Sequence, residues 1–272
     1  MQFFSYLING ISLGSVYALI ALGYTMVYGI AKMLNFAHGD VIMIGSYVVY
    51  FAFGASGLNP VLSIVLSMIV CTILGVVIER LAYRPLREAP SLAVLITAIG
   101  VSYLLQQVAQ LSWSSNPKSF TSVVSGMKPV SLFGGQLTIS AETIVTIVAC
   151  VVIMVVLMWF VNYTPAGHAM LAVSEDRGAA QLMGVNVNGT ISLTFAIGSA
   201  LAAIAGALLC SSYPTLQPTT GAMPGIKAFV AAVFGGIGSI PGAFVGGILL
   251  GIIENLSKAY ISTQLSDAIV FL

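Results

Sequence analysis

The sequence predicts an all-α polytopic membrane protein, a bundle of about eight to nine hydrophobic segments with some broken or half-length helices, in one transmembrane domain over residues 1–272. Three observations predict it. Of the 272 residues, 58% are hydrophobic and only 6% are charged, nine Lys and Arg against eight Asp and Glu; a soluble domain carries roughly 25% charged residues. The mean hydropathy is +1.04, and a surface with so few charges would not hold such a chain in water. The apolar runs are also long and unbroken, where barrel strands would alternate. These features exclude a soluble enzyme and a disordered chain. A net charge of +1 gives no basic field for nucleic acid. Membrane lipid is the expected surroundings of most of the surface.

The segments follow in order. The first run, 4–30, has no basic region before it and no cleavage site after it, so it reads as a span, not a removed leader. Lys32, Asn35, His38 and Asp40 interrupt the pattern, which resumes over 41–53, short for a full crossing. Leu58-Asn59-Pro60 is a turn with proline at a helix start, and 61–78 is the next span. A charge cluster then reads as a loop: Glu79, Arg80, Arg84, Arg87 and Glu88, broken by Pro85 and Pro90. Spans at 92–111 and 144–161 flank a serine-rich polar stretch, about 112–140, that holds Lys118 and Lys128. A second polar segment, 162–190, precedes a span at 191–209. Beyond it, four prolines (214, 218, 224 and 241) and dense glycine predict two shorter helices, roughly 225–237 and 242–256. A further apolar run begins at Asp267 just as the chain stops, the pattern expected of a chain cut short.

Orientation follows from arginine and lysine in short loops. The 79–88 cluster and Arg177 lie two spans apart, so both are expected on the cytoplasmic side, with 112–140 outside. Cys71, Cys150 and Cys210 sit in apolar runs without metal spacing and read as buried thiols. The chain has no GxxxxGK[ST] loop for ATP phosphates and no HExxH. Gly10-Ile11-Ser12-Leu13-Gly14 fits GxSxG but opens an apolar helix, so its glycines read as a close-packing face. Glycines 238, 242, 246, 247 and 251 have the same spacing.

Three segments carry the functional expectation. Asn35, Phe36, His38, Gly39 and Asp40 form either a plain cytoplasmic turn or a discontinuous helix that offers backbone to a solute; the polar members should face water, a partner or a substrate route. A second break spans 214–227, with Pro224 and Lys227. Each follows a Gly-Ser pair at a similar distance (14–15 and 198–199), a hint of an internal repeat. In the third segment, Glu175, Asp176, Arg177, Ala179, Ala180, Leu182 and Met183 read as one short amphipathic helix ended by Gly184. It suits docking into a groove on another protein, or lying on lipid.

Asn35-Phe36-Ala37-His38-Gly39-Asp40 with Gly45-Ser46-Tyr47 resembles a signature of the LivH-type permeases of branched-chain amino acid ABC importers. Glu79-Arg80-Leu81-Ala82-Tyr83-Arg84-Pro85-Leu86-Arg87, the segment from Thr164 to Gly184, and Gly235-Gly236-Ile237-Gly238-Ser239 resemble further motifs of that family, in the same order. The resemblance implies a single permease domain in the bacterial plasma (inner) membrane, pairing with a second related permease subunit, two cytoplasmic ATPase subunits and a periplasmic binding protein. ATP and magnesium would sit on the ATPases, with no cofactor, metal or catalytic residue on this chain. The segment at about 164–188 would couple to the ATPases; there Gly178 stands where the related motif of other importers has Glu, and the Leu-Pro that ends that motif is absent. The implied solutes are leucine, isoleucine and valine, moved by alternating access. Permeases for urea or short amides are the alternative, followed by a passive channel using His38 and His168. The spans offer almost no visible buried partners for an amino acid's charges, so weak, transient contact with the solute is expected.

Overall fold

The computed structural model describes residues 2–124, 129–132 and 137–272; Lys128 lies outside the described residues. In chain order the helices are α1 (Gln2–Ala31), α2 (His38–Val49), α3 (Pro60–Ile78), α4 (Ser91–Trp113), α5 (Ala141–Tyr163), α6 (Pro165–Glu175), α7 (Arg177–Leu182), α8 (Val187–Ser212), α9 (Ala222–Phe234), α10 (Ile240–Tyr260) and α11 (Ser266–Phe271). Four short strands, β1 (Lys118–Ser119), β2 (Val130–Leu132), β3 (Leu137–Ile139) and β4 (Thr215–Leu216), form two small antiparallel pairs, β1 with β4 and β2 with β3. Among the described residues six helices are long and apolar enough to cross a membrane: α1, α3 with its extension to Leu86, α4, α5, α8 and α10. The chain is a multi-pass, all-α membrane protein.

Two details differ from the sequence reading. The helix of α3 does not stop before the charge cluster: a π-helical turn (Glu79–Tyr83) and a 3-10 turn (Arg84–Leu86) carry it on, so Glu79 is buried in the bundle and not on a loop. The stretch expected as a short helix at 242–256 is part of a full 21-residue span. Glycine opened that stretch to close packing without breaking the helix.

Local chemistry sets the helix starts. Asn59, Ser140, Thr164, Asp176, Asn186 and Ser239 each accept a backbone N–H at the first turn of α3, α5, α6, α7, α8 and α10 respectively, satisfying donors that a helix start leaves open. Proline follows the cap at α3 and α6, where its missing N–H costs nothing. Gly184, at φ 88°, ends α7 in the left-handed region that favours glycine.

α1 is the axis of the bundle. Of its most apolar stretch 94% is buried, against 17% for α4. A helix apolar all round belongs inside other helices, and glycine lets α10 approach it. A Cβ built on Gly251 would lie 2.1 Å from Gly14 N, and one on Gly247 would lie 2.4 Å from the Ala18 Cα. The peripheral helices α3, α4 and α5 show their apolar side chains outward, as lipid requires.

The contacts define two ends. At one, Asn255 donates to the Tyr6 carbonyl, Tyr6 packs on Tyr260, β1 pairs with β4, and Ser122 donates to Glu142. At the other, Arg177 donates to the Ala31 carbonyl, Arg87 donates to Asn188, and Tyr83 donates to Asn35. Hence α1 and α3 run toward the second end and α8 and α10 run away from it. The packing is exchange-symmetric: α1 lies on α10 and α9 as α8 lies on α3 and α2, while α1 crosses α8 and α2 crosses α9. The unit α1-break-α2-α3 thus corresponds to α8-break-α9-α10 with opposite direction, the arrangement of an inverted repeat.

The prediction is specific to position. Gly251→Ala forces a methyl into the α1 backbone and should destabilise the folded protein by about 1–3 kcal/mol, read as a lower unfolding midpoint in detergent. Gly54→Ala, which meets nothing within 4 Å, should leave the midpoint unchanged.

Candidate functional site

The two breaks meet. A Cβ on Gly221 would lie 1.8 Å from the Gly39 carbonyl oxygen, and one on Gly225 would lie 3.0 Å from the Gly39 Cα, so the start of α9 rests backbone to backbone on the start of α2. Around this crossing Tyr24 packs on His38 (ring centroids 4.7 Å) and on Phe229 (5.8 Å), and Phe36 packs on Phe229 (5.2 Å). His38 is buried against Gly23, and its Nε2 has no hydrogen-bond partner among the described residues. The cavity beside this cluster measures about 10 Å³, room for at most one water. The first break is therefore neither a solvated turn nor an open route in this conformation.

Its polar residues are satisfied from distant helices. Asn35 Oδ1 accepts from the Tyr83 hydroxyl at 2.8 Å, and Asp40 Oδ1 accepts from Gln106 Nε2 at 2.8 Å. Both Asn35 and Asp40 are buried, so of the water, partner or substrate route expected to face them, it is not bulk water that they meet in this conformation. Nothing in the sequence paired Tyr83 or Gln106 with them.

Pro224 and Lys227 belong to a different cluster. Lys227 is buried and donates to Glu254 Oε1 at 2.8 Å and to Asp267 Oδ1 at 2.7 Å. Glu254, 1% exposed, also accepts from the Tyr17 hydroxyl at 2.7 Å and from Lys258 at 2.5 Å. This corrects the expectation that the spans lack buried charge partners. The signal was available: Glu254 is an acid at the end of the apolar run 243–253, within the length of one span, and such residues mark functional positions in membranes.

The arginine-rich end forms a second construction. Glu79 accepts from Arg87 and, at 2.7 Å, from Ser192, and Arg87 also donates to Asn188, so the carboxylate clamps α3 to α8. Arg80 and Arg84 are exposed and border a cavity of about 580 Å³ with Asn186, Asn188 and Ser192. Arg177, with Lys32 and Arg87, lines another of about 360 Å³; burial, then the nearby Arg87, lowers its pKa from the usual arginine value.

The segment expected to be one helix from Glu175 to Gly184 is two. Glu175 ends α6, and Asp176 is extended, its Oδ1 accepting from Gly178 N at 2.7 Å and Ala179 N at 3.0 Å to start α7. An aspartate that can cap was the missed signal. Arg177 turns inward to the end of α1, and Ala180 is buried. Gly178 and Ala179 are exposed. Leu182 and Met183 project outward, 91% and 85% exposed. His168 is exposed on α6 while His38 is sealed in the core, so the two histidines do not share a pore lining.

The Glu79–Arg87 pair yields a test. Arg87→Met strands a buried carboxylate and should cost about 3–5 kcal/mol of stability. Glu79→Gln with Arg87→Met should recover more than half of that loss, measured as unfolding midpoints in detergent.

Residues 6–272 match the family described as branched-chain amino acid transport system / permease component. The high-affinity branched-chain amino acid transport system permease protein LivH of Salmonella typhimurium is 43% identical over 282 residues, covering 100% of this chain and 91% of that protein. The corresponding permease protein BraD of Pseudomonas aeruginosa is 44% identical over 277 residues, covering 97% and 89%. A probable branched-chain amino acid transport permease protein LivH of Methanocaldococcus jannaschii is 31% identical over 259 residues, covering 90% and 78%.

Proposed function

The chain belongs to the branched-chain amino acid transport system permease family, and on that premise we propose that it is the membrane subunit of an ATP-driven importer of leucine, isoleucine and valine in the bacterial plasma membrane. It pairs with a second, related permease subunit. Two ATPase subunits bind and hydrolyse ATP with magnesium, and a periplasmic binding protein delivers the solute. The arginine end, which holds Arg80, Arg84, Arg87 and Arg177, faces the cytoplasm by the positive-inside rule.

The observation that carries this reading is the exposed pair Leu182 and Met183 at the end of α7. α6 and α7 are anchored on their inner face by Met170, Val173 and Ala180 and braced by Arg177, leaving two large apolar side chains exposed at the arginine-rich end of the bundle. Such side chains are natural anchors for a pocket on a partner. Arg177 connects that anchor to the carbonyl of Ala31, the last residue before the first break. A push on α7 by closing ATPases is thereby delivered to the joint between α1 and α2, where Gly39 meets Gly221. Separation of α2 from α9 there would unseal the bundle, and the inverted arrangement of the two units lets either end open in turn.

Two outcomes follow. In proteoliposomes this chain alone should show no leucine accumulation, and addition of the second permease, the ATPases, the binding protein and ATP should produce it; robust uptake by the chain alone contradicts the importer. Leu182→Asp with Met183→Asp should weaken ATPase association by about tenfold or more without altering the unfolding midpoint. Unchanged co-purification of the ATPases contradicts the docking role.

A further inference from the structure

Two cavities open at the end of the bundle opposite the arginines. The larger, about 500 Å³, has polar walls that include Ser12, Ser140 and Asn255; the smaller, about 160 Å³, shares Leu13 and Tyr213 with it and is also bordered by Glu254 and Lys258. We propose that the smaller cavity is a binding site for the transported amino acid in its zwitterionic form, with Glu254 receiving the ammonium group and Lys258 the carboxylate. The proposal rests on the importer reading above and adds the residues that recognise the solute.

Charge balance is the first argument. Lys227, Lys258, Glu254 and Asp267 are two cations and two anions joined by three ion pairs. Lys227 is committed to two carboxylates and buried, its Nζ 6.0 Å from the Tyr17 ring centroid. Glu254 Oε1 carries two ammonium donors, from Lys227 and Lys258. Of these, the Lys258 side chain is 34% exposed and borders the cavity, so it is the donor that can leave. A solute ammonium replaces it on Glu254, and the released Lys258 pairs with the solute carboxylate a few ångströms away. The number of charges of each sign stays equal, which low-dielectric surroundings demand. A solute with only one charge leaves one unpaired group. Urea or an amide that displaces Lys258 offers no charge to either partner.

Shape is the second argument. Leu13, Leu209 and Pro224 give the cavity apolar walls, with Tyr17 and Tyr213 beside them, which suits an aliphatic side chain attached to the zwitterion. Its volume is below the roughly 300–1,000 Å³ of sites for drug-sized ligands and fits one small molecule. Access is the third: the 500 Å³ cavity lies beside it, with Leu13 and Tyr213 lining both.

The test measures radiolabelled leucine binding to the assembled importer in nanodiscs without binding protein, alongside ATP-driven uptake by the complete system. Wild type should bind leucine, with leucinamide, 4-methylpentanoate and urea failing to compete. Lys258→Met should weaken binding about tenfold or more, and Lys258→Arg should restore most of it. Leu209→Phe should shift preference from leucine toward valine, a change that a purely structural ion-pair network would not produce. Equal competition by leucinamide, or Lys258→Met and Leu209→Phe variants that bind leucine as wild type does, overturns the site. Leucine uptake by a wild-type importer that shows no binding at this site also overturns it while leaving the importer reading intact. Absence of ATP-driven leucine uptake by the complete wild-type system overturns both.

Discussion

The close approach of α1 and α10, glycine against backbone, organises the bundle. In lipid, helices gain nothing by hiding apolar surface from their neighbours, so association rests on backbone-close packing and internal polar bonds. Gly10 and Gly14 on one helix and Gly247 and Gly251 on the other remove the side chains that would hold them apart. With α1 held there, its other faces carry α8 and α9, and the exchange-symmetric set of contacts follows. The same approach brings Tyr17 of α1 to Glu254 of α10, so a packing constraint also assembles the charged cluster.

Few charges remain in such a chain, and their placement separates two tasks. All four arginines gather at one end, around the Glu79 clamp and the brace from Arg177 to α1. Glu254 and Lys227 lie with Lys258 and Asp267 in a neutral group approached from the other end. Between them, the crossing of Gly39 and Gly221 is sealed by aromatic rings. In the proposed importer, force enters at one end and solute at the other, with the aromatic-sealed joint between the two.

Five of the six spans and the positions of both breaks were legible in the sequence because they depend on local composition: about twenty apolar residues in a row, a polar interruption at 32–40, or a cluster of proline and glycine after 213 mean the same wherever the rest of the chain goes. The ending of α7 at Gly184 was legible for the same reason. Partnerships were not, because they join residues far apart in the chain: Tyr17 with Glu254, Glu79 with Ser192, Asp40 with Gln106. Arg177 and Ala180 read as surface residues of a docking helix, yet tertiary contact turned both inward and left Leu182 and Met183 as the exposed edge. Lys227 stood out as a lone cation in a broken region, and only the fold revealed the acids that hold it.

Labelling from each side of the membrane distinguishes the two ends of the bundle and their proposed tasks. Cys71, Cys150 and Cys210 are fully buried, so a single introduced cysteine reports cleanly with a membrane-impermeant maleimide. The account predicts that Met183→Cys reacts only in inside-out vesicles and is protected when the ATPase subunits are bound, while Tyr213→Cys reacts only in right-side-out vesicles. Reaction of Met183→Cys from the outside, or its full reactivity in the presence of bound ATPases, would contradict the account.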